Sequence, residues 1–395
     1  MKTIVHIGMP KAGSTVLQDT LFLERDTLLA NGALYPDPGL NKIYNHGLLA
    51  GAVLPYEDGP RVYRRVSEQE HAERVEGFLE RLQRQVKEVR PAVLILSSEY
   101  LWRLDEPQVL AKLQSLLARL GAGDIEFLAY VRRPSAFFLS AAQQSLRAST
   151  HLYPAESLDF SHVLDAYAKA FPKARITVRL FDRASLAGGD VVTDFASLYF
   201  PECLEAVQQA ARKVSGNETL SAEGMALLQA FRHNFFADRN DVFTKETARF
   251  RERLCQLDED HAAPRPVLRP ELRDYFDFGN AMALTLRDQY GVTFPDFDYP
   301  RLERGDFAPP PELGSAVRDV VTIDDDRLYR MIVALREEPL LGNLGLARWL
   351  ISLPHELKLP QERGLLGWVS RCLWQAKAVR FKRAKHSRKQ TGKQQ

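Results

Sequence analysis

Residues 8–15 have the types and spacing that point most directly to chemistry, because they read Gly-Met-Pro-Lys-Ala-Gly-Ser-Thr. An apolar run precedes them and a helical pattern follows, which predicts a strand, a tight loop and a helix. The glycines let backbone amides approach an anion closely. Ser14 and Thr15 stand where the free N–H groups and the dipole of a helix attract negative charge, and Lys11 adds a cation. The segment therefore predicts a cradle for a phosphate or sulfate group.

Arg132 is a second candidate for anion binding. The apolar run 125–131 ends at Arg132-Arg133-Pro134, and Ser140 stands eight residues after Arg132. Pro134 suits the first turn of a helix, so Arg132 is expected at the carboxyl end of a strand and Ser140 two turns along that helix. Open α/β sheets bind ligands at this edge, and the planar guanidinium suits a phosphate monoester. A strand-end arginine alone is more often a solvated charge; beside the loop it favours a second anion site.

The order of residues in the loop is informative. A standard nucleoside-triphosphate loop has its lysine after the second glycine, whereas here Lys11 precedes Gly13, which leads directly into Ser14. This order resembles the 5′-phosphosulfate loop of the sulfotransferase family, and Arg132 with Ser140 is similar to that family's 3′-phosphate motif. The resemblance covers about residues 1–235. Two shorter segments add to it: Arg179-Leu-Phe181 with Asp194-Phe195, and residues 217–221 before a helix.

The resemblance implies a bacterial-type sulfotransferase of the P-loop fold class. Its co-substrate would be 3′-phosphoadenosine 5′-phosphosulfate (PAPS) and its product 3′-phosphoadenosine 5′-phosphate (PAP), with no metal needed. The acceptor would be a hydroxyl or amine of a small molecule, glycan or lipid, bound by the helical remainder of the chain. Lys11 would also stabilise negative charge on the leaving bridge oxygen. The residues implied in donor binding are Lys11, Ala12, Gly13, Ser14, Thr15, Arg132 and Ser140.

Two residues compete for the role of the base that takes the acceptor proton. Glu99 follows the apolar run 92–96, so we expect it at a strand end beside the loop, where the family carries active-site residues. His46 lies in the connection after the first helix, where other members carry a catalytic acid or an acceptor contact. Each also has a plain structural interpretation, a helix cap for Glu99 and a loop histidine for His46. The sequence leaves the choice open.

The elements that position these residues alternate along the chain. Apolar, mostly β-branched runs predict buried strands at 3–7, 92–96, 125–131 and 176–181. Helical patterns cover 14–31, 68–89, 108–120, 134–147, 160–170, 191–199, 221–236, 245–257, 270–289, 324–338 and 344–351. This alternation predicts an α/β fold with a doubly wound parallel sheet flanked by helices. We expect an α/β domain over 1–300 with helical acceptor-side additions, a helical extension over 301–374 and a basic, disordered tail over 375–395.

Charge is divided unevenly along the chain. The formal net charge is +2, but residues 375–395 hold eight of the 53 basic residues and no acid, so 45 basic residues face 51 acidic ones elsewhere. An acidic body argues against a nucleic-acid-binding protein. The carboxyl end favours a packed last helix followed by a disordered tail, with peripheral contact to an anionic membrane as the alternative. The apolar positions that predict this helix are Leu366, Val369, Leu373 and Ala376.

Cysteine usage and hydropathy bear on the compartment. Cys203, Cys255 and Cys372 are far apart and lack metal-binding spacing, which is typical of thiols in a reducing compartment. No apolar run reaches the roughly 18 residues of a spanning helix. We therefore expect a cytoplasmic protein, either free or at the inner face of the membrane.

Two other functions account for part of these observations. An ATP-dependent P-loop kinase would need a lysine after the second glycine and an aspartate at a strand end for magnesium, and Ser97-Ser98-Glu99 offers no aspartate. A non-catalytic protein that binds a membrane surface or nucleic acid through the tail leaves the two anion sites unexplained. The sequence therefore favours the sulfotransferase hypothesis.

Overall fold

The computed structural model describes residues 1–40, 43–153, 158–214, 219–337, 344–357 and 359 of the 395-residue chain. The chain divides into two compact units, of which the first comprises Met1–Phe138, Glu156–Asn217 and Asp274–Pro310. The second gathers the described residues among 139–155, 218–273 and 311–395. The second unit is therefore built from three separate stretches of the chain. Two of them, 139–155 and 218–273, come before residue 300.

A parallel sheet is the centre of the first unit. Its strands are β1 (Lys2–His6), β2 (Ala33–Leu34), β3 (Val93–Ser97), β4 (Asp124–Val131) and β5 (Arg175–Leu180). They lie in the order β2-β3-β1-β4-β5, and every neighbouring pair is parallel. The predicted α/β class with a parallel sheet flanked by helices is confirmed. Sequence patterns missed β2, because two residues are too few to show a period.

The register of the sheet decides which loops become neighbours. β1 is flanked by β3 on one side and β4 on the other, and His6 pairs with Ser97 and with Leu128. Strand order therefore reverses at β1, which makes the segment after His6 the switch point where open sheets bind ligands. The same pairing brings the residues that follow Ser97 to the side of that segment.

The described helices surround the sheet or form the second unit. They are α1 (Ser14–Leu23), α2 (Arg25–Ala30), α3 (Leu48–Val53), α4 (Glu68–Val89), α5 (Pro107–Arg119), α6 (Pro134–Leu146), α7 (Ser161–Ala170), α8 (Val191–Tyr199), α9 (Leu204–Ala211), α10 (Ala222–Phe235), α11 (Lys245–Asp260), α12 (Pro270–Phe278), α13 (Met282–Tyr290), α14 (Tyr299–Glu303), α15 (Val317–Val320), α16 (Asp325–Glu337) and α17 (Leu344–Glu356). Short 3₁₀ segments occur at Tyr56–Asp58, Glu99–Arg103, Ala187–Gly189 and Pro201–Cys203.

Helices of the first unit form two packed groups. α1 packs against α8 and α9, while α3 packs against α4 and α5, and α5 packs against α7. Leu17 and Leu21 of α1 are almost completely buried. The predicted helix 14–31 is two helices, because the backbone of Glu24 leaves the helical region at φ −97° and ψ 17°. The predicted helix 270–289 is also divided, where the side chain of Asn280 accepts the N–H of Met282 at 2.9 Å.

The second unit is helical. α10 packs against α11, α15 and α16, and α16 packs against α17. At its centre, the fully buried guanidinium of Arg232 donates to the carbonyls of Ala148, Arg239 and Val242. These bonds, all from Nη1 and Nη2, offset part of the cost of burying a charged group. The expected basic tail and the apolar positions of residues 366–376 lie outside the described residues.

Candidate anion-binding and catalytic site

The loop between β1 and α1 has an unusual backbone. Gly8 (φ 39°), Lys11 (φ 67°) and Gly13 (φ 79°) all have positive φ, which is uncommon for lysine. A Cβ on Gly13 would lie 2.7 Å from Cε2 of Phe181 and 2.9 Å from Cγ1 of Val191, so only glycine fits there. The aromatic ring at the end of β5 thus fixes the loop, and strain of this kind is typical of functional sites.

The amino terminus of α1 has no side-chain cap. Its N-cap is Gly13, and its first turn contains no acidic residue. The side chain of Ser14 is buried, and its Oγ has no hydrogen-bond partner among the described residues. A buried hydroxyl without a partner costs free energy unless a ligand or water satisfies it. Thr15 is exposed and Lys11 is half-buried, so a ligand at the loop can contact both side chains.

Arg132, at the end of β4, contacts the loop directly. Its Nη1 donates to the carbonyl of Lys11 at 2.9 Å, and its backbone N–H donates to Sδ of the buried Met9 at 3.4 Å. Its guanidinium also lies over the ring of Phe181, 5.5 Å from the centroid. The two anion-binding residues predicted from separate parts of the sequence, Lys11 and Arg132, therefore belong to one site.

The neighbouring Arg133 has a different role. Its Nε donates to Oδ2 of Asp277 at 2.7 Å, and Nη1 donates to the carbonyl of Pro295 at 3.2 Å. The carboxylate of Asp277 also accepts the N–H of Ser135 in the first turn of α6. Arg133 thus stabilises the start of α6. Ser140 lies six residues after the start of α6, half-buried, and belongs to the second unit.

Glu99 lies at the carboxyl end of β3, at the partly exposed end of a hydrogen-bond network. Nε2 of Gln18 donates to Oε2 of Glu99 at 3.0 Å and to Oγ of Ser97 at 3.2 Å. Oγ of Ser97 is in turn 2.7 Å from Nδ1 of His6, the last residue of β1. Burial lowers the pKa of His6 to about 4, so its imidazole is neutral. The network orients one oxygen of the Glu99 carboxylate and connects it to the strand that carries the anion loop.

Two tyrosines, Tyr63 and Tyr100, lie close enough to Glu99 for its charge to affect them. The ring centroids of Tyr100 and Tyr63 are 5.9 Å apart in an edge-to-face arrangement. Burial, and secondarily the negative charge of Glu99, raise the pKa of Tyr100 to about 12. Burial also raises the pKa of Tyr63, with Tyr100 and then Glu99 adding to the effect. Both phenols are therefore neutral hydrogen-bonding groups near neutral pH. A carboxylate beside neutral phenols has suitable chemistry for holding and deprotonating a hydroxyl or amine.

His46 is occupied by the backbone on both ring nitrogens. The N–H of Ser97 donates to Nδ1 at 3.0 Å, and Nε2–H donates to the carbonyl of Pro36 at 2.9 Å. The backbone N–H of His46 also donates to the carbonyl of Ser97 at 2.8 Å. β2 ends at Leu34, opposite Leu94, so His46 satisfies backbone groups of Ser97 that no strand reaches. Burial lowers its pKa to about 4. Both ring nitrogens of His46 are therefore engaged with the backbone, whereas Glu99 has no such role.

Arg179 and Asp194 form an ion pair that holds α8 against β5. In the sequence they were noticed only because the segments that contain them resemble the sulfotransferase family. Nε and Nη2 of Arg179 each donate to a different oxygen of Asp194 at 2.6 Å. The buried carboxylate of Asp194 also accepts the hydroxyl of Tyr130 at 2.9 Å and the N–H of Ala187 at 2.9 Å. This network positions the strand end that carries Phe181, so its role is structural.

His6, Gln18 and Ser97 were not identified from the sequence. Gln18 stands four residues after Ser14, on the same face of α1, and this spacing was the available signal. Residues 217 and 218, which contributed to the family resemblance, lie outside the described residues, as does Cys372.

The described residues hold neither a candidate metal site nor a candidate membrane span. No group of three or more His, Cys, Asp or Glu in the described part of the chain is arranged to hold a metal ion. Among the same residues, no helix combines the length and apolar character that a membrane span requires. Comparisons with protein-family models, with characterised proteins and with solved structures found no match to this chain.

Proposed function

We propose that this chain transfers a sulfuryl group from PAPS to a hydroxyl or amine of a small-molecule, glycan or lipid acceptor. The observation that carries the proposal is the 2.9 Å contact between Nη1 of Arg132 and the carbonyl of Lys11. A nucleotide with anionic groups on both its 3′ and 5′ oxygens needs two cationic anchors within one site. A second cation, contributed by another strand and held against the loop, meets that need.

The residues around the loop suit this donor. The uncapped start of α1 and the unpartnered Oγ of Ser14 offer donors to the 5′-phosphosulfate, and the guanidinium of Arg132 offers a planar fork to the 3′-phosphate. Ser140 remains a prediction, as does the P-loop type of the fold. The loop of a kinase that binds ATP would not require Arg132.

Three side chains would share the chemistry. Bound PAPS would supply the sulfuryl group. Lys11 would stabilise the negative charge that develops on the bridge oxygen, which is a large term in reactions of this kind. Glu99 would take the proton of the acceptor hydroxyl or amine, and Gln18 would hold the carboxylate in position through its 3.0 Å hydrogen bond. Donors and base are then aligned along one edge of the sheet.

Calorimetry with three nucleotides tests the proposal. We expect PAP to bind in the micromolar range, and both 5′-AMP and ATP to bind much more weakly, because only PAP engages the loop and Arg132 together. Equal affinities for PAP and 5′-AMP would contradict the role of Arg132. Tighter binding of ATP with magnesium would favour the kinase alternative.

A further inference from the structure

Three buried side chains, those of His6, Ser97 and Gln18, form a hydrogen-bonded chain that ends at Glu99. Each of the three is at most 3% exposed. Nδ1 of His6 lies 2.7 Å from Oγ of Ser97. Nε2 of Gln18 lies 3.2 Å from the same oxygen and 3.0 Å from Oε2 of Glu99. Because each contact needs one donor and one acceptor, the chain has a direction.

The Glu99 end fixes the orientation of the Gln18 amide. An ionised carboxylate has lone pairs but no hydrogen to donate, so the atom of Gln18 that faces Oε2 of Glu99 must be the amide nitrogen. The same nitrogen donates its other hydrogen to Ser97, whose oxygen is therefore an acceptor in this contact. The hydroxyl hydrogen of Ser97 then needs an acceptor of its own. Among the described residues, Nδ1 of His6 is the other hydrogen-bond contact of that oxygen, so Ser97 donates to His6.

This direction places the single ring proton of His6 on Nε2. Burial keeps the ring neutral by lowering its pKa to about 4, and a neutral imidazole carries one N–H. Nε2 has no hydrogen-bond partner among the described residues. With the proton on Nδ1, both Nε2 and the hydroxyl hydrogen of Ser97 would lack a partner, whereas the Nε2–H form leaves one group unpaired. Packing holds the ring in place, because it meets the ring of Tyr130 edge on and a Cβ on Gly8 would lie 2.9 Å from its Cε1.

We propose that His6 is a positioning residue for Glu99. By accepting the hydrogen of Ser97, His6 makes Gln18 present an N–H group to the carboxylate. Without an acceptor at this position, the hydroxyl of Ser97 would turn toward Gln18, whose amide oxygen would then face Glu99 and repel it. His6 thus acts on the carboxylate through two intervening side chains. This role rests on the proposed function, in which Glu99 takes the acceptor proton.

A matched pair of variants of the full chain tests this role. His6→Asn and His6→Leu introduce side chains of similar size and lose the same ring contacts, but the amide oxygen of asparagine can accept the hydrogen of Ser97 and leucine cannot. We expect kcat for PAPS hydrolysis to be roughly 10- to 100-fold lower in His6→Leu than in His6→Asn, because a displaced base is no longer aligned. The Kd of PAP should be the same in both. In the Glu99→Gln background the two variants should have equal kcat, because no carboxylate remains to be positioned.

A spectroscopic measurement on the wild-type chain does not depend on any variant folding. In a long-range ¹H–¹⁵N spectrum of the chain labelled with ¹⁵N-histidine, recorded at pH 7, the ring of His6 is identified by its Overhauser contacts with Tyr130 and should carry its proton on Nε2. A proton on Nδ1, equal kcat for His6→Asn and His6→Leu, or an undiminished difference between them in the Glu99→Gln background would each overturn the proposal. A wild-type chain that does not hydrolyse PAPS would instead refute the sulfuryl transfer, and with it any role of His6 in that reaction.

Discussion

Replacing Arg132 and Arg133 with methionine, one at a time, separates ligand binding from folding. The two arginines are adjacent in sequence, at the end of the same strand. Arg132 contacts the loop carbonyl of Lys11, whereas Arg133 pairs with a carboxylate of Asp277 whose side chain is completely buried. Methionine preserves much of the apolar stem of arginine and removes the charge and the donors. The structure therefore predicts opposite phenotypes for two neighbouring substitutions.

The expected magnitudes follow from these contacts. Arg132→Met should remove a charge-assisted hydrogen bond to the 3′-phosphate, worth about 1.5–3 kcal/mol, and weaken PAP binding by roughly 10- to 150-fold. Affinity for 5′-AMP should hardly change. Arg133→Met leaves the buried Asp277 without its cation, a loss that is typically about 3–5 kcal/mol of stability. Because the Arg133 side chain is 19% exposed and Ser135 still donates to Asp277, we expect a loss near the lower value.

Two measurements on each variant are sufficient. Calorimetry gives the Kd values of PAP and 5′-AMP, and urea denaturation gives the free energy of unfolding. Arg132→Met should raise the Kd of PAP with little loss of stability, whereas Arg133→Met should lose stability and retain the ratio of the two Kd values. If both variants lost the same stability and the same PAP affinity, the distinction drawn between the two arginines would be wrong.

Three further outcomes are expected. Lys11→Ala should lower kcat by roughly 10²–10³ and leave the urea midpoint unchanged, with hydrolysis of PAPS by water as the assay until an acceptor is found. Glu99→Gln should lower the same rate by roughly 10²–10⁴ without affecting PAP binding. His46→Asn should instead mainly lower the free energy of unfolding, by about 1–3 kcal/mol. If His46→Asn lowered the rate more than Glu99→Gln did, His46 would be the base. Because burial lowers the pKa of His6 and His46 from 6.5 to about 4, only the unfolded chain takes up these protons between those values. The free energy of unfolding should therefore fall with decreasing pH by roughly 1.4 kcal/mol per unit for each histidine, and urea denaturation that gave the same value at pH 7 and pH 5 would refute this.

The places of residues 8–15 and of Arg132 in the fold were predictable because their signals are local. Residues 8–15 are consecutive, and the step from an apolar run to Arg132 and Pro134 marks a strand end without knowledge of the rest of the fold. The parallel sheet also followed from local alternation. The contact between Lys11 and Arg132 could not be predicted in this way. It depends on β1 and β4 being neighbours in the sheet, and no local pattern contains that information.

The network behind Glu99 was not predictable for the same reason. His6 meets Ser97 because β1 and β3 pair in one particular register, and Gln18 reaches both Ser97 and Glu99 because of the rotation of α1 about its axis. A shift of one residue in that register would turn these side chains to the other face of the sheet. Such contacts are properties of the assembled sheet, not of any one segment.

Residue type does not choose between Glu99 and His46 as the candidate base. Histidine has the pKa of a good general base, so its type argued for His46 as much as position argued for Glu99. The hydrogen bonds of the two side chains differ, and this difference is an argument for Glu99. Ser97 has a backbone N–H and carbonyl beyond the end of the short β2, and His46 supplies an acceptor and a donor to them. Because Nδ1 of His46 accepts the N–H of Ser97, its proton must stay on Nε2, where it is donated to the carbonyl of Pro36. An imidazole whose two nitrogens are engaged in this way is poorly suited to accept a further proton.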